Sequence, residues 1–184
     1  MWLTNDAIWS VRALTVPEPE LFSEAPRLVA VDTQTIALSE GFGGACRVGP
    51  DGAVSCLYSV WRPEEPWHPI ATIPGTVSVV GDLASGCVRT ERGAVACWDN
   101  GWETPTLRVV IGGGAAAISG RLSPAIQRQM CARMYDGTAT CWVAEGASHV
   151  VAGLPPLSEI AVGNDFACGL AVDDSVWCWG ANGY

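Results

Sequence analysis

The apolar positions of this chain fall in short β-branched runs, and Gly, Pro, Asp or Asn breaks nearly every run. "PIATIPGTVSVVGD" and "LPPLSEIAVGNDFA" show the texture: a proline, a few alternating apolar residues, then a turn. Such runs read as strands between tight turns. Long stretches with the spacing of an amphipathic helix are hard to find, so the pattern predicts an all-β protein.

The strand pattern repeats, and cysteine marks the copies. "CRVGPDGAVSC", "CVRTERGAVAC", "CARMYDGTATC" and "CGLAVDDSVWC" share one frame. Their first cysteines are Cys46, Cys87, Cys131 and Cys168, in steps of 41, 44 and 37, and Cys56, Cys97, Cys141 and Cys178 follow with the same steps. A period near 40 suits a small supersecondary unit stacked on its neighbours. Trp98, Trp142 and Trp179 follow three of the second cysteines, whereas the first copy has Leu57 and Tyr58. The third copy carries an insertion, "RLSPAIQRQM", before Cys131. A cysteine-free echo opens the chain: in "WLTNDAIWSV", Asp6, Ile8, Trp9 and Ser10 fall on Asp174, Val176, Trp177 and Cys178. The expected organisation is one domain, 1–184, with a partial unit and connection at 1–29 and repeats at 30–60, 70–102, 107–144 and 150–184.

The spacing of ten has a geometric reading. Pro50 and Asp51 suit the centre of a type I turn, and Gly52 suits the left-handed residue after it. That is a three-residue hairpin loop. Gly49 then pairs with Ala53, Val48 with Val54, Arg47 with Ser55 and Cys46 with Cys56. If the Gly49 pair is hydrogen-bonded, the cysteines form a non-hydrogen-bonded pair, with Cα atoms about 4.5 Å apart and within disulfide reach. Gly93, Gly137 and Asp174 hold the third loop position in the other copies. Disulfides are the leading reading of Cys46, Cys56, Cys87, Cys97, Cys131, Cys141, Cys168 and Cys178. Two alternatives stay open: reduced core thiols, since free cysteine is often buried, and zinc ligands, although zinc favours closer pairs.

With these motifs in view, "IAVGNDFACGLAVDDSVWCWGANGY" (160–184) resembles the regulator-of-chromosome-condensation repeat family. The family pattern joins an Ile-Ala-x-Gly strand, a hairpin with a central Asp, and a Trp-Gly-x-Asn tail; paired cysteines in both hairpin strands are frequent in its bacterial members. The likeness is specific in the last copy and degenerate in the first three. It implies a β-propeller, each repeat making a four-stranded blade around a channel. Members commonly have about seven blades, so this chain is expected to be partial or unusually small, with four to five blades of antiparallel strands. A fragment or an oligomer is expected on that ground, because an open array exposes a blade edge and an apolar face that invite self-association.

Charge narrows the partners. The chain carries net charge −9, with ten Arg and no Lys. The arginines are scattered from Arg12 to Arg133, not clustered as a phosphate backbone requires, so nucleic acid is not expected. No apolar run is long enough to span a bilayer. "MWLTNDAIWS" lacks the features of a secretory signal, yet paired cysteines point to an extracellular or cell-envelope location. The two agree if residue 1 is not the natural start; otherwise the cysteines stay reduced. High Ala, Gly, Arg and Trp usage without Lys is the composition of a GC-rich bacterial genome.

No catalytic, cofactor or metal residues stand out, and no cofactor is expected. His68, among prolines in "EEPWHP", and His149 both read as loop or strand-edge residues. "IGGGAAAISG" (111–120) lacks the Lys-Ser/Thr of a phosphate loop and reads as a strand of small residues near the channel. Asp51, Asp136 and Asp173 share the hairpin's middle position, which turn chemistry explains. Trp98, Trp142, Trp177 and Trp179 read as core between blades. Trp67, in a stiff and exposed-looking segment, is the first candidate for a partner contact, with His68 and Trp102. The expected function is a non-enzymatic protein-binding scaffold presenting inter-blade loops. The alternatives are a polysaccharide-acting hydrolase or lyase using the channel, and a structural cell-surface module. Guanine-nucleotide exchange, known in the family, is not carried over, because the exchanger's working loops have no counterparts here.

Overall fold

In the computed structural model the described residues are 2–4, 7–10, 27–31, 35–40, 44–58, 66–99, 103–123, 126–143 and 146–181. Among them every regular element is a strand, and the strands form five antiparallel meanders. Blade 1 holds β1 (Trp2–Thr4), β2 (Ala7–Ser10) and β3 (Arg27–Val31). Blade 2 holds β4 (Ala37–Glu40), β5 (Ala45–Val48), β6 (Ala53–Leu57) and β7 (His68–Thr72). Blade 3 holds β8 (Thr76–Gly81), β9 (Gly86–Thr90), β10 (Val95–Asp99) and β11 (Thr106–Ile111). Blade 4 holds β12 (Ala115–Ser123), β13 (Ile126–Met134), β14 (Ala139–Val143) and β15 (His149–Val150). Blade 5 holds β16 (Leu157–Val162), β17 (Phe166–Ala171) and β18 (Val176–Gly180). The all-β fold with a hairpin per repeat is the one expected.

Each cysteine hairpin has the register that its spacing demands. Val48 faces Val54, Arg47 faces Ser55 and Cys46 faces Cys56, and the Gly49 N–H donates to the Ala53 carbonyl at 2.8 Å. The sulfurs are bonded in all four copies, with Cα atoms 4.1, 3.9, 4.0 and 4.1 Å apart. The structure thus carries the disulfide reading over reduced thiols and zinc ligands. A disulfide across so short a loop gains little chain entropy; its main effect is to fix strand register.

The core lies between blades. One cluster joins Cys46, Val48, Val54 and Cys56 of blade 2 to Val79, Val88 and Trp98 of blade 3. The next joins Cys87, Val95 and Cys97 of blade 3 to Ala115, Met130 and Trp142 of blade 4. The third joins Cys131 and Cys141 to Ala167, with Trp179 of blade 5 packed against them. Each of these tryptophans therefore covers the disulfide of the blade before it. Leu57, in the equivalent place on blade 2, follows a blade with Ser10 where cysteine would stand. Trp98 and Trp142 are buried as expected, at 1% and 2% exposure, and Trp179 is half-buried. Trp177 is not core: it is 43% exposed, because the fourth strand that flanks the hairpin in blades 2 to 4 has no counterpart beside β18 among the described residues.

Backbone hydrogen bonds lock the blades at one corner. The segment joining one blade's outer strand to the next blade's inner strand passes beside the hairpin loop. There the Ile73 N–H donates to the Gly52 carbonyl at 3.0 Å, Ala115 to Gly93 at 3.0 Å, and Leu157 to Gly137 at 2.8 Å. The following hairpin grips the same connector: Glu91 donates to Gly75 at 2.8 Å, Tyr135 to Gly114 at 2.9 Å, and Val172 to Pro156 at 3.0 Å. Serine adds a clasp between inner strands. The Ser39 hydroxyl donates to the Gly81 carbonyl and accepts from its N–H, and Ser119 accepts from the Val162 N–H at 3.1 Å. "IGGGAAAISG" divides accordingly: Ile111 ends β11, Gly112–Gly114 form a connector, and the rest belongs to the inner strand β12.

Two glycines separate the demands of this corner. Gly75 and Gly93 have nearly the same dihedral, φ +76 and +75, but a Cβ on Gly75 meets nothing within 4 Å, whereas one on Gly93 lies 2.6 Å from the Ala115 nitrogen. Gly75→Ala should cost about 1 kcal/mol, the price of the left-handed backbone alone. Gly93→Ala should cost about 3 kcal/mol or more, because the blade interface must also open. Urea unfolding of both variants checks this, and equal costs would show that connector crowding contributes nothing.

Candidate protein-interaction surface

The hairpin loops line one rim, each on the same frame. The third loop residue donates its N–H back across the turn: Gly52 to Gly49 at 3.0 Å, Gly93 to Thr90 at 2.8 Å, Gly137 to Met134 at 3.0 Å and Asp174 to Ala171 at 3.1 Å. The middle aspartate closes the loop from inside. Asp51 accepts from the Ala53 N–H at 3.0 Å; Asp136 accepts from the Thr138 N–H and hydroxyl at 2.9 and 2.7 Å; Asp173 accepts from those of Ser175 at 3.1 and 2.6 Å. Blade 3 has Arg92 in that place, and the Thr90 hydroxyl accepts the equivalent N–H, from Ala94, at 3.1 Å. Turn chemistry thus accounts for these acids, as the sequence predicts. The bonds to Thr138, backbone first and then hydroxyl, hold the Asp136 carboxyl below the usual aspartate range. For Asp173 the Ser175 hydroxyl leads and its N–H follows.

On this constant frame the exposed side chains vary. The first loop position is Pro50, Glu91, Tyr135 or Val172 in successive blades, and all four are exposed. Tyr135 is 63% exposed, and its hydroxyl donates to the Glu91 carbonyl at 3.3 Å, tying the rims of blades 3 and 4.

The residues singled out from sequence lie elsewhere. Trp67 and His68 come together at the outer edge of blade 2, where His68 opens β7 opposite Cys56. His68 therefore sits on the edge strand of its sheet, within the loop or strand-edge reading. Trp67 is half-buried and not openly exposed, because the Arg47 guanidinium sits 4.3 Å from its ring centroid while the Arg47 Nε donates to the Ser55 hydroxyl at 3.0 Å. Trp102 lies outside the described residues. His149 is an exposed residue of the edge strand β15, as expected. Sequence reasoning missed Arg47 as the partner of Trp67; Arg47 lies on β5 and Trp67 just before β7, two strands that are not neighbours, and no local signal joins them.

A cleft of about 370 Å³ between blades 4 and 5 is lined by Gln129, Val143, Asn164, Asp165 and Ala181. Asp165 is the carboxylate among these described lining residues. Among the described residues no group of three His, Cys, Asp or Glu could hold a metal ion, and no helix is long and apolar enough to cross a membrane.

Stacked three- and four-stranded meanders with hairpins on one rim define a β-propeller fold. Residues 158–184 match the model of the regulator of chromosome condensation (RCC1) repeat, so the last blade is similar to that repeat and the chain's resemblance to the family stands. No curated protein matches the chain by sequence. Among solved structures it is similar to yeast RCC1 (Prp20), in a structure with Kap60 bound, at a TM-score of 0.69 and 9% identity, over 96% of this chain and 52% of that one. It is also similar to human WBSCR16, at 0.64 and 14%, over 84% and 50%, and to the computationally designed Ika4 protein, at 0.54 and 13%, over 80% and 91%. At these identities the likeness is one of fold, and the chain spans about half the length of the yeast protein.

Asp136 and Asp173 make a pH prediction. Their folded pKa values are depressed, so their contribution to hairpin stability is present above the unfolded aspartate value of about 3.9 and is lost as pH falls through the lower folded value. The amide resonances of Thr138 and Ser175 should titrate with midpoints below that of aspartate in an unfolded peptide. Midpoints at or above it would mean that the loop bonds do not favour the ionised form.

Proposed function

We propose that the chain is a non-enzymatic protein-binding scaffold whose hairpin-loop rim meets the partner. One observation carries this reading: a fixed backbone frame, tied blade to blade, presents exposed side chains that differ at every copy, Pro50, Glu91, Tyr135 and Val172. Rigid frames with variable loops suit recognition, since little ordering entropy is lost on binding. A propeller similar to this one, yeast RCC1, has been solved bound to a protein. Trp67 and His68 form a second, smaller contact region on the same proposal, at the outer edge of blade 2, and Trp102 is carried with them. Four disulfides are compatible with an extracellular location, and we place the protein outside the cytosol or in the cell envelope on that basis.

The test uses a photo-crosslinking residue at position 135, with position 109 on an outer strand as control. The rim reading expects a discrete protein to be captured from position 135 and not from position 109. It also expects Tyr135→Ala to weaken that complex about tenfold, as truncation of a contact tyrosine does, with the circular dichroism unchanged. Equal capture from both positions would overturn the rim as the binding face. A product of twice the chain's own mass would assign the rim to self-association instead.

A further inference from the structure

We propose that Asp51–Gly52 is a modification site at which the chain isomerises to isoaspartate, and that the same step in blade 4, Asp136–Gly137, is guarded by a second hydrogen bond. Both steps fill the middle and third positions of a hairpin loop, and both aspartates are exposed. An aspartate followed by glycine is open to attack by the next main-chain nitrogen, because glycine has no side chain to shield that atom. The other two loops differ. Blade 3 has Arg92 before Gly93, and blade 5 has Asp173 before Asp174, whose side chain crowds its own nitrogen.

The carboxylate separates the two sites. Asp51 accepts one bond, from the Ala53 N–H at 3.0 Å. Asp136 accepts two on the same oxygen, from the Thr138 N–H at 2.9 Å and from its hydroxyl at 2.7 Å. The attack needs the neutral carboxyl, whose hydroxyl leaves as water, so each bond that favours the ionised form slows it. The two bonds from Thr138 hold the Asp136 carboxyl below the usual aspartate range. In blade 2 the matching residue is Ala53, which has no hydroxyl to add a second bond. The attacking nitrogens do not tell the sites apart: the Gly52 N–H donates to Gly49 and the Gly137 N–H to Met134, each at 3.0 Å.

The reaction needs only water. The Gly52 nitrogen gives up its proton and attacks the Asp51 Cγ; a C–N bond forms, a C–O bond breaks, and one water leaves a five-membered succinimide. One water then adds back. Opening the bond from nitrogen to Cγ restores aspartate, and opening the bond from nitrogen to the main-chain carbonyl carbon gives isoaspartate, so the composition is unchanged. In the product the Cβ lies in the main chain, the loop is one backbone atom longer, and the side-chain oxygen that accepted the Ala53 N–H is consumed. The Gly52 carbonyl, which takes the Ile73 N–H at 3.0 Å, follows directly on the lengthened bond. Isomerisation at this tip thus reaches both the rim, through Pro50, and the junction of blades 2 and 3.

The test keeps the purified, oxidised chain near neutral pH at body temperature for weeks and maps isoaspartate by electron-transfer mass spectrometry of its peptides. A parallel sample is kept reduced and unfolded in guanidinium. In the folded chain isoaspartate should build up at position 51 about fivefold ahead of position 136, the factor that one more hydrogen bond to an ionised group supplies. Position 173 should lag behind position 51 as well. In the unfolded chain positions 51 and 136 should convert at similar rates. Thr138→Val keeps the N–H and the side-chain shape but removes the hydroxyl; it should bring position 136 towards the rate of position 51 and leave position 51 unchanged. Folded rates within about twofold of each other, or position 136 leading, would overturn the proposal. So would a lead of position 51 that persists in the unfolded chain, or a Thr138→Val variant in which position 136 converts no faster.

Discussion

The structure turns on a carbonyl that points outward from a tight turn. At Gly52, Gly93 and Gly137 it accepts the N–H of the segment that begins the next blade. That segment can come so close only because the residue has no side chain, and the turn closes only because the residue is left-handed. One atom thus sets both the shape of a hairpin and the distance to its neighbour. Blade geometry and blade stacking are the same constraint seen from two sides, which is why the period can vary between 37 and 44 residues without disturbing the contact.

Around this corner the apolar contacts follow. A hairpin is marginal alone, and a disulfide fixes its register without giving it a core. The core appears when the tryptophan of one blade lies on the sulfurs of the one before. The pairing is directional. Where the preceding blade lacks cysteines, blade 2 has Leu57 and not tryptophan. Stability in such a stack accumulates from neighbour to neighbour, so a defect acts chiefly on the two blades that share it.

Much of this was legible in the sequence because it is local. The turn residues of "GPDGA" dictate the register around Cys46 and Cys56, and the register brings the sulfurs together. What was not legible depends on partners in other copies. Trp177 looks like a core residue from its place beside Cys178; its exposure reflects the strand environment outside β18, which the residue does not encode. His68, beside Pro69, fits a loop or an edge strand equally well from sequence, and β7 is an outermost strand, where proline is tolerated. The stack of Arg47 on Trp67 joins residues twenty positions apart with no motif between them. The variable rim was foreseen as loops, but its fixed frame was not, because connector bonds run from backbone to backbone and leave no mark beyond glycine.

The insertion in the third copy has a consequence for orientation. Among the hairpins that join an inner strand to its neighbour, those of blades 3 and 5 stop one residue past the strand position opposite the first cysteine, at Gly81 and Val162. In blade 4 the inner strand runs four past it, from Ser119 to Ser123. Three extra residues carry this hairpin about 10 Å farther, on the side away from the cysteine-hairpin rim. Sectors built on one template look alike to anything approaching along the axis. Among the described strands of blades 3 to 5, the taller spoke of blade 4 breaks that likeness and marks one angular position.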